Sequence, residues 1–266
     1  MFQKKSLGQN FLTNTAIIKK IVRAGEVAPQ DPVLEIGPGK GSLTRELLET
    51  GATVTAIEKD SRLIPILEDM FAHSPNFNLR EEDIKDIDIA SLYPKDTPYK
   101  VIANIPYYIT GFIIRLFLSQ KHKPERMVLL LQKEVVQRII ANDSKESLLS
   151  ISIKAYGEVR SFGIVKAGSF SPAPKVDSAI LGIFNITKER FIHAGISEDY
   201  FFSILKCAFA GKRKMLLGKL SSLADRGALE HIFEKLNIDK NIRAEDVMIG
   251  QWFELTASLY TLTDQG

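Results

Sequence analysis

Cysteine is almost absent from this 266-residue chain: Cys207 stands alone, inside the apolar run Phe201–Ala210. No disulfide within the chain and no cysteine-based metal site can form, and Cys207 reads as a small core residue rather than a nucleophile. Histidine is scarce too. The four histidines, at 73, 122, 193 and 231, are far apart and lack ligand spacing, so no metal is expected. No apolar run is long enough to span a bilayer; the longest, Tyr107–Leu118, is interrupted by Arg115. The opening Met-Phe-Gln-Lys-Lys lacks the apolar stretch of a secretory signal. Fixed-period repeats and low-complexity tracts are missing as well. These absences predict a cytoplasmic protein with no membrane partner.

Acid is missing locally. The formal net charge is only +3, which by itself selects no polyanionic partner. Its distribution says more. Met1–Gly25 holds Lys4, Lys5, Lys19, Lys20 and Arg23 and no acid, and Lys206–Lys219 holds Lys206, Lys212, Arg213, Lys214 and Lys219 and no acid. Either stretch alone reads as a solvated helix face; two of them in a nearly neutral chain favour a polyanion.

The first two-thirds of the chain alternate strand and helix signals. Strands are predicted at Val33–Ile36, Ala52–Ile57, Phe77–Arg80, Tyr99–Ala103 and Met127–Leu131. Helices are expected at Thr15–Ala24, Leu43–Glu49 and Arg62–Phe71, from Tyr107 to about Leu118, and from about Lys133. That alternation requires crossover connections and hence a parallel sheet covered on both faces. Glu158–Val165 and Ser178–Ile186 have no helix between them and read as an antiparallel pair at one edge. Beyond residue 187 only helical patterns remain: Tyr200–Ala210, Lys212–Leu223, Gly227–Leu236 and Ile249–Leu259. The expected fold is therefore α/β, a Rossmann-like domain over 1–187 followed by a small all-α domain over 188–266.

Glycines 37, 39 and 41 fall between a strand and a helix in Leu34-Glu35-Ile36-Gly37-Pro38-Gly39-Lys40-Gly41. The spacing is not that of dinucleotide-binding loops, and Pro38 removes an N–H that a pyrophosphate would use. The loop suits a nucleoside without a pyrophosphate. Glu58 ends the second strand, where a carboxylate can accept from ribose hydroxyls, and Asp83 follows the third, where it can accept from an adenine amine. Either acid alone would pass for a solvated loop carboxylate.

After the fourth strand comes Asn104-Ile105-Pro106-Tyr107. An adenine amine is a poor nucleophile because its lone pair is delocalised into the ring. The Asn104 amide oxygen and the Ile105 carbonyl, aimed at its two N–H bonds, would draw the nitrogen toward tetrahedral geometry, with Pro106 stiffening the turn. Tyr107 is suited to stack on the base and face developing positive charge. The same four residues also fit an ordinary helix-initiating turn; the glycine turn tips the reading toward chemistry. Phe170-Ser171-Pro172-Ala173-Pro174-Lys175-Val176 forms a stiff loop in which Phe170 is expected beside the base and Lys175 near a phosphate.

These residues resemble the small-subunit rRNA adenine dimethyltransferases, the bacterial kasugamycin-sensitivity methyltransferases and their archaeal and eukaryotic relatives. The likeness runs through Lys5–Leu12, Val33–Thr44, Glu58-Lys59-Asp60, Asp83, Asn104–Thr110, Gln132–Val135, Phe170–Ser178 and Ala208–Lys214. It implies a class I methyltransferase sheet and S-adenosylmethionine as methyl donor, leaving S-adenosylhomocysteine. It implies that Asn10, Leu12, Gly37, Gly39, Glu58, Asp83 and Asn104 contact that donor, with Glu35 bracing its methionine end. Asn104, Ile105, Pro106, Tyr107 and Phe170 would surround the target adenine. Lys175, Lys212, Arg213 and Lys214 are expected on rRNA phosphates. The implied substrate is a partly assembled small ribosomal subunit carrying two adjacent adenosines near the rRNA 3′ end, and the chain is expected to act as a monomer.

Two departures stand out: Ser144–Ser150 is shortened and lacks the family's Tyr-Gly, and Lys212-Arg213 replaces a pair of arginines. Three other readings compete. One is a large-subunit rRNA adenine methyltransferase of the resistance type; the Leu7–Leu12 opening and the C-terminal helices argue against it. A protein-amine methyltransferase would share the Asn-Ile-Pro-Tyr turn but would not need two basic faces. The third is an assembly factor that matters by binding, against which Glu58, Asp83 and Asn104 are all present.

Overall fold

A computed structural model describes residues 10–94, 97–141, 144–211 and 214–264. They form two compact units, Met1–Val136 with Glu158–Ile186, and Gln137–Gly157 with Thr187–Gly266.

In the first unit the chain runs β1 (Phe11–Leu12), α1 (Thr15–Ala24), β2 (Pro32–Ile36), α2 (Ser42–Glu49), β3 (Thr53–Glu58), α3 (Ile64–Met70) and β4 (Phe77–Glu81). It continues through β5 (Lys100–Asn104), α4 (Thr110–Ser119), β6 (Arg126–Gln132) and the start of α5 (Lys133–Ile140). After α6 (Leu148–Lys154) in the other unit it returns as β7 (Glu158–Val165), β8 (Phe170–Ser171) and β9 (Ser178–Phe184).

Seven strands form one sheet in the order β4-β3-β2-β5-β6-β9-β7. The first five are mutually parallel; β9 is antiparallel to both β6 and β7. The edge pair expected from the missing helix is thus present, with β9 inside and β7 outermost. Burial explains the composition. Every residue of β9 is buried, as are Met127–Leu131 of β6, whereas the edge strands β4 and β7 are largely exposed or half-buried. Continuous apolar runs mark strands covered on both faces.

The strand order reverses at β2. β3 and β4 lie on one side of it, β5 and β6 on the other. The carboxyl ends of β2 and β5 therefore flank a switch point, where open parallel sheets place their ligands.

The second unit holds α6, α7 (Glu189–Ala194), α8 (Glu198–Phe209), α9 (Leu216–Leu220), α10 (Arg226–Lys235) and α11 (Ile249–Asp264). Its centre is aromatic: Phe201 stacks on Phe253 at 4.6 Å, and Trp252 is fully buried. Residues 137–157, expected in the first domain, group with the helices: Tyr156 packs on Phe191 at 5.1 Å and on Phe202 at 5.9 Å. Of the expected helix Lys212–Leu223, Lys212 and Arg213 lie outside the described residues, and α9 begins at Leu216 because Met215 is still extended. Among the described residues no helix is long and apolar enough to cross a membrane.

Candidate active site

A cleft opens at the carboxyl ends of β2, β3 and β5. Its floor is the glycine turn. Gly37, Gly39 and Gly41 all adopt positive φ, of 66°, 60° and 75°. At Gly39 a close approach adds to that need: a Cβ there would lie 2.9 Å from the Phe11 ring. Gly41 supplies the left-handed residue that starts α2.

Two carboxylates stand behind the turn. Glu58, ending β3 and 6% exposed, accepts from the Gly39 N–H at 3.1 Å and from the Asp60 N–H at 2.9 Å. Burial raises its pKa, and the N–H groups of Asp60, Gly39 and Lys59 offset part of the rise. The carboxylate keeps acceptor capacity for a further donor. Glu35, near the end of β2, is 1% exposed, and its Oε2 has no hydrogen-bond partner among the described residues. Burial pushes its pKa up to about 8; the Thr44 side chain offsets part of this and the Glu58 charge adds to it.

Asp83 lines the same cleft beyond β4. Its Oδ2 pairs with Lys59 Nζ at 2.5 Å and its Oδ1 accepts from the Lys85 N–H at 3.1 Å. Partial burial pushes its pKa up, but Lys59 and the Lys85 N–H outweigh that and hold it below the usual carboxylate range.

The Asn104 turn forms the opposite wall. Asn104 Nδ2 donates to the Asn10 carbonyl at 3.2 Å. A carbonyl only accepts, so this contact fixes the amide: the nitrogen faces Asn10 and Oδ1 is left as an acceptor. Ile105 is buried, and Pro106 opens a short helical turn over Tyr107–Ile109 that leads into α4. The half-buried Tyr107 lines the cleft, and its hydroxyl bonds to Ser178 Oγ at 2.7 Å.

The structure thus brings together Asn10, Leu12, Glu35, Gly37, Gly39, Glu58, Asp83 and the whole 104–107 turn. It separates others. Phe170, expected beside the base, is 5% exposed and packed in the core with Leu12, Val165 and Ile180, outside the cleft lining. The cause is β1–β8 pairing, in which Leu12 lies opposite Phe170. Lys175 is exposed on its loop and does not line the cleft, and Lys214 is exposed in the helical unit. Lys212 and Arg213 lie outside the described residues. Lys219, counted with that basic run, instead donates to the Ala208 carbonyl at 2.5 Å. Sequence reasoning missed Phe11, whose ring lies under the Lys40 ammonium at 5.1 Å, and Ser178 as the partner of Tyr107. Neither carries a signal in spacing, because both contacts are made across the chain.

The chain matches the family model described as ribosomal RNA adenine dimethylase over residues 2–260. A ribosomal RNA small subunit methyltransferase A of Dehalococcoides mccartyi (strain CBDB1) is 38% identical over 254 residues, covering 95% of this chain and 87% of that protein. The protein of the same name from Fusobacterium nucleatum subsp. nucleatum is 36% identical, covering 95% and 96%. Among solved structures, a dimethyladenosine transferase from Plasmodium falciparum superposes with a TM-score of 0.78 at 28% identity, covering 92% of this chain and 95% of that one. The 23S rRNA methyltransferase ErmE gives a TM-score of 0.78 at 26% identity, covering 94% and 100%. The chain belongs to the ribosomal RNA adenine dimethylase family.

Proposed function

We propose that the protein methylates the N6 amine of two adjacent adenosines near the 3′ end of small-subunit rRNA, giving N6,N6-dimethyladenosine during subunit assembly. It does so as a cytoplasmic monomer. The sheet-bearing unit carries the chemistry and the helical unit, 137–157 with 187–266, docks the rRNA. The observation that carries this reading is the Asn104 amide, held by Asn10 with its oxygen free at the switch point.

The cleft fits S-adenosylmethionine. The unpartnered, buried Glu35 oxygen suits the ammonium of its methionine end, and Glu58 keeps acceptor capacity for ribose hydroxyls. Asn10, Leu12, Gly37, Gly39 and Asp83 complete the lining. When bound, this donor supplies a methyl group on an already activated sulfonium, so the reading calls for no metal. Asn104 Oδ1 and the Ile105 carbonyl accept from the two N–H bonds of the adenine amine and free its lone pair. Pro106 holds the turn. Tyr107 provides a face for the base, and its hydroxyl, tied to Ser178, keeps the ring from rotating away. Phe170, paired across β1–β8 with Leu12, completes the surround of the target adenine. Lys175, Lys212, Arg213 and Lys214 contact rRNA phosphates.

The large-subunit reading shares this fold, since ErmE superposes as well as the dimethyladenosine transferase does. The chain's sequence relatives favour the small subunit. Nucleoside mass spectrometry on both subunits from undermethylated cells, after incubation with the protein, decides it. Dimethyladenosine in the small-subunit rRNA is expected; its absence there, or its appearance only in large-subunit rRNA, overturns the reading.

A further inference from the structure

The cleft leaves unexplained the other acid-free stretch. Helix α1 is amphipathic in an unusual way: Ile18, Ile21, Val22 and Ala24 are buried, while Lys19, Lys20 and Arg23 are exposed on the other side. Residues 19 and 23, and 20 and 23, are spaced to share one helix face. None of the three forms an ion pair with any described residue, and α1 contains no acid that could neutralise them.

The neighbouring sheet edge is arranged differently. Glu158 of β7 is engaged by Arg160 at 3.1 Å and by Asn185 at 3.1 Å, and Asp177 by Lys166 at 2.8 Å. The acids of this edge are thus already partnered, and the α1 cations are not. Gly163 of β7 adds a second observation. A Cβ built there would lie 3.2 Å from Lys20 Nζ, and Gly163 has φ of 104°. The missing side chain lets the ammonium lie close against the edge strand.

Position connects this face to the chemistry. α1 follows β1 directly; its cap Asn14 accepts from the Ile17 N–H, and β1 lines the cleft. At 1.5 Å rise per residue, Arg23 lies about 13 Å along the helix from that cap.

We propose that Lys19, Lys20 and Arg23, beside Gly163, form a phosphate-binding strip for the rRNA backbone that flanks the target adenosine. This rests on the rRNA reading above. The strip positions substrate and carries no base specificity.

The test uses the full chain with Lys19→Gln, Lys20→Gln and Arg23→Gln combined, and undermethylated small subunits as the probe. Direct binding and methylation are both measured across salt concentrations. Losing three phosphate contacts should flatten the slope of log affinity against log salt by about 3 and raise KM for subunits about tenfold or more. The kcat and the affinity for S-adenosylmethionine should not change, which also shows the variant is folded. An unaltered slope and KM overturn the strip. Wild-type protein that binds but does not methylate defeats the functional reading and leaves the strip to be judged by the binding slope. Wild-type protein that does neither defeats both.

Discussion

The Asn104 side chain donates from Nδ2 to the main-chain carbonyl of Asn10 across 3.2 Å, joining residues 94 positions apart. The contact does two things. It ties β1 to the end of β5, closing one side of the cleft, and it decides which amide atom faces the substrate. The same segment is anchored a second time where Thr13 donates its N–H to the Ser169 carbonyl at 2.9 Å, just before β8.

Replacing that amide separates catalysis from folding. Asn104→Ala removes the acceptor but leaves the buried strand residues Val101–Ala103 untouched. Single-turnover transfer should slow about 100-fold or more, the scale expected when a reacting group loses its alignment. Subunit binding should persist. A near-normal single-turnover rate would remove Asn104 from the chemistry. A variant that is inactive yet still restores subunit assembly in cells would favour the binding-only reading.

Glu35 makes the cleft sensitive to pH. Its carboxyl has a pKa of about 8 in the folded protein against an ordinary value of 4.5, so the folded state holds a proton that the unfolded state has released. Stability from this group is therefore greatest below pH 4.5 and declines as pH rises through the window to about 8. Glu35→Gln should flatten the fall in Tm across that window; Glu58, raised in the same direction, leaves a smaller residue of it. Binding of an ammonium group favours the carboxylate, so S-adenosylmethionine should displace a proton at pH 7. Calorimetry in buffers of different ionisation enthalpy reads that release. Equal heats in all buffers for the wild type, or unequal heats persisting in Glu35→Gln, would take the methionine end away from Glu35.

Much of this was legible in the sequence for a physical reason. Strands buried on both faces advertise themselves as apolar runs, as Met127–Leu131 does, and a turn that needs positive φ advertises itself as glycine at 37, 39 and 41. What stayed hidden depends on contacts across the chain. The two-residue strands β1 and β8 have no periodicity, and only their pairing moves Phe170 into the core. Helix α6 is too short to show a helical stripe; its start is fixed by reciprocal Ser147 and Ser150 hydrogen bonds, a signal of two serines that is easily read as loop. Asp83 was legible as a cleft residue, but its pairing with Lys59 was not.

Tyr107 and Ser178 provide the sharpest test of how the base is held. Ser178 is fully buried at the start of β9, where it pairs with Gln132 of β6 and Val165 of β7, so its hydroxyl has little freedom to move. Its Oγ lies 2.7 Å from the Tyr107 hydroxyl. If the bond serves to orient the ring, removing either partner should have the same effect. Tyr107→Phe and Ser178→Ala should each lower kcat by about 2–12-fold, the equivalent of one hydrogen bond worth about 0.5–1.5 kcal/mol. Neither should change affinity for S-adenosylmethionine. The double variant should be no slower than either single one, because the second substitution has nothing left to break. Tyr107→Ala, which deletes the ring, should fall well below all three. Additive losses in the double variant would mean that Ser178 acts through packing of β9 alone. Full activity in Tyr107→Ala would mean that the base stacks elsewhere in the cleft.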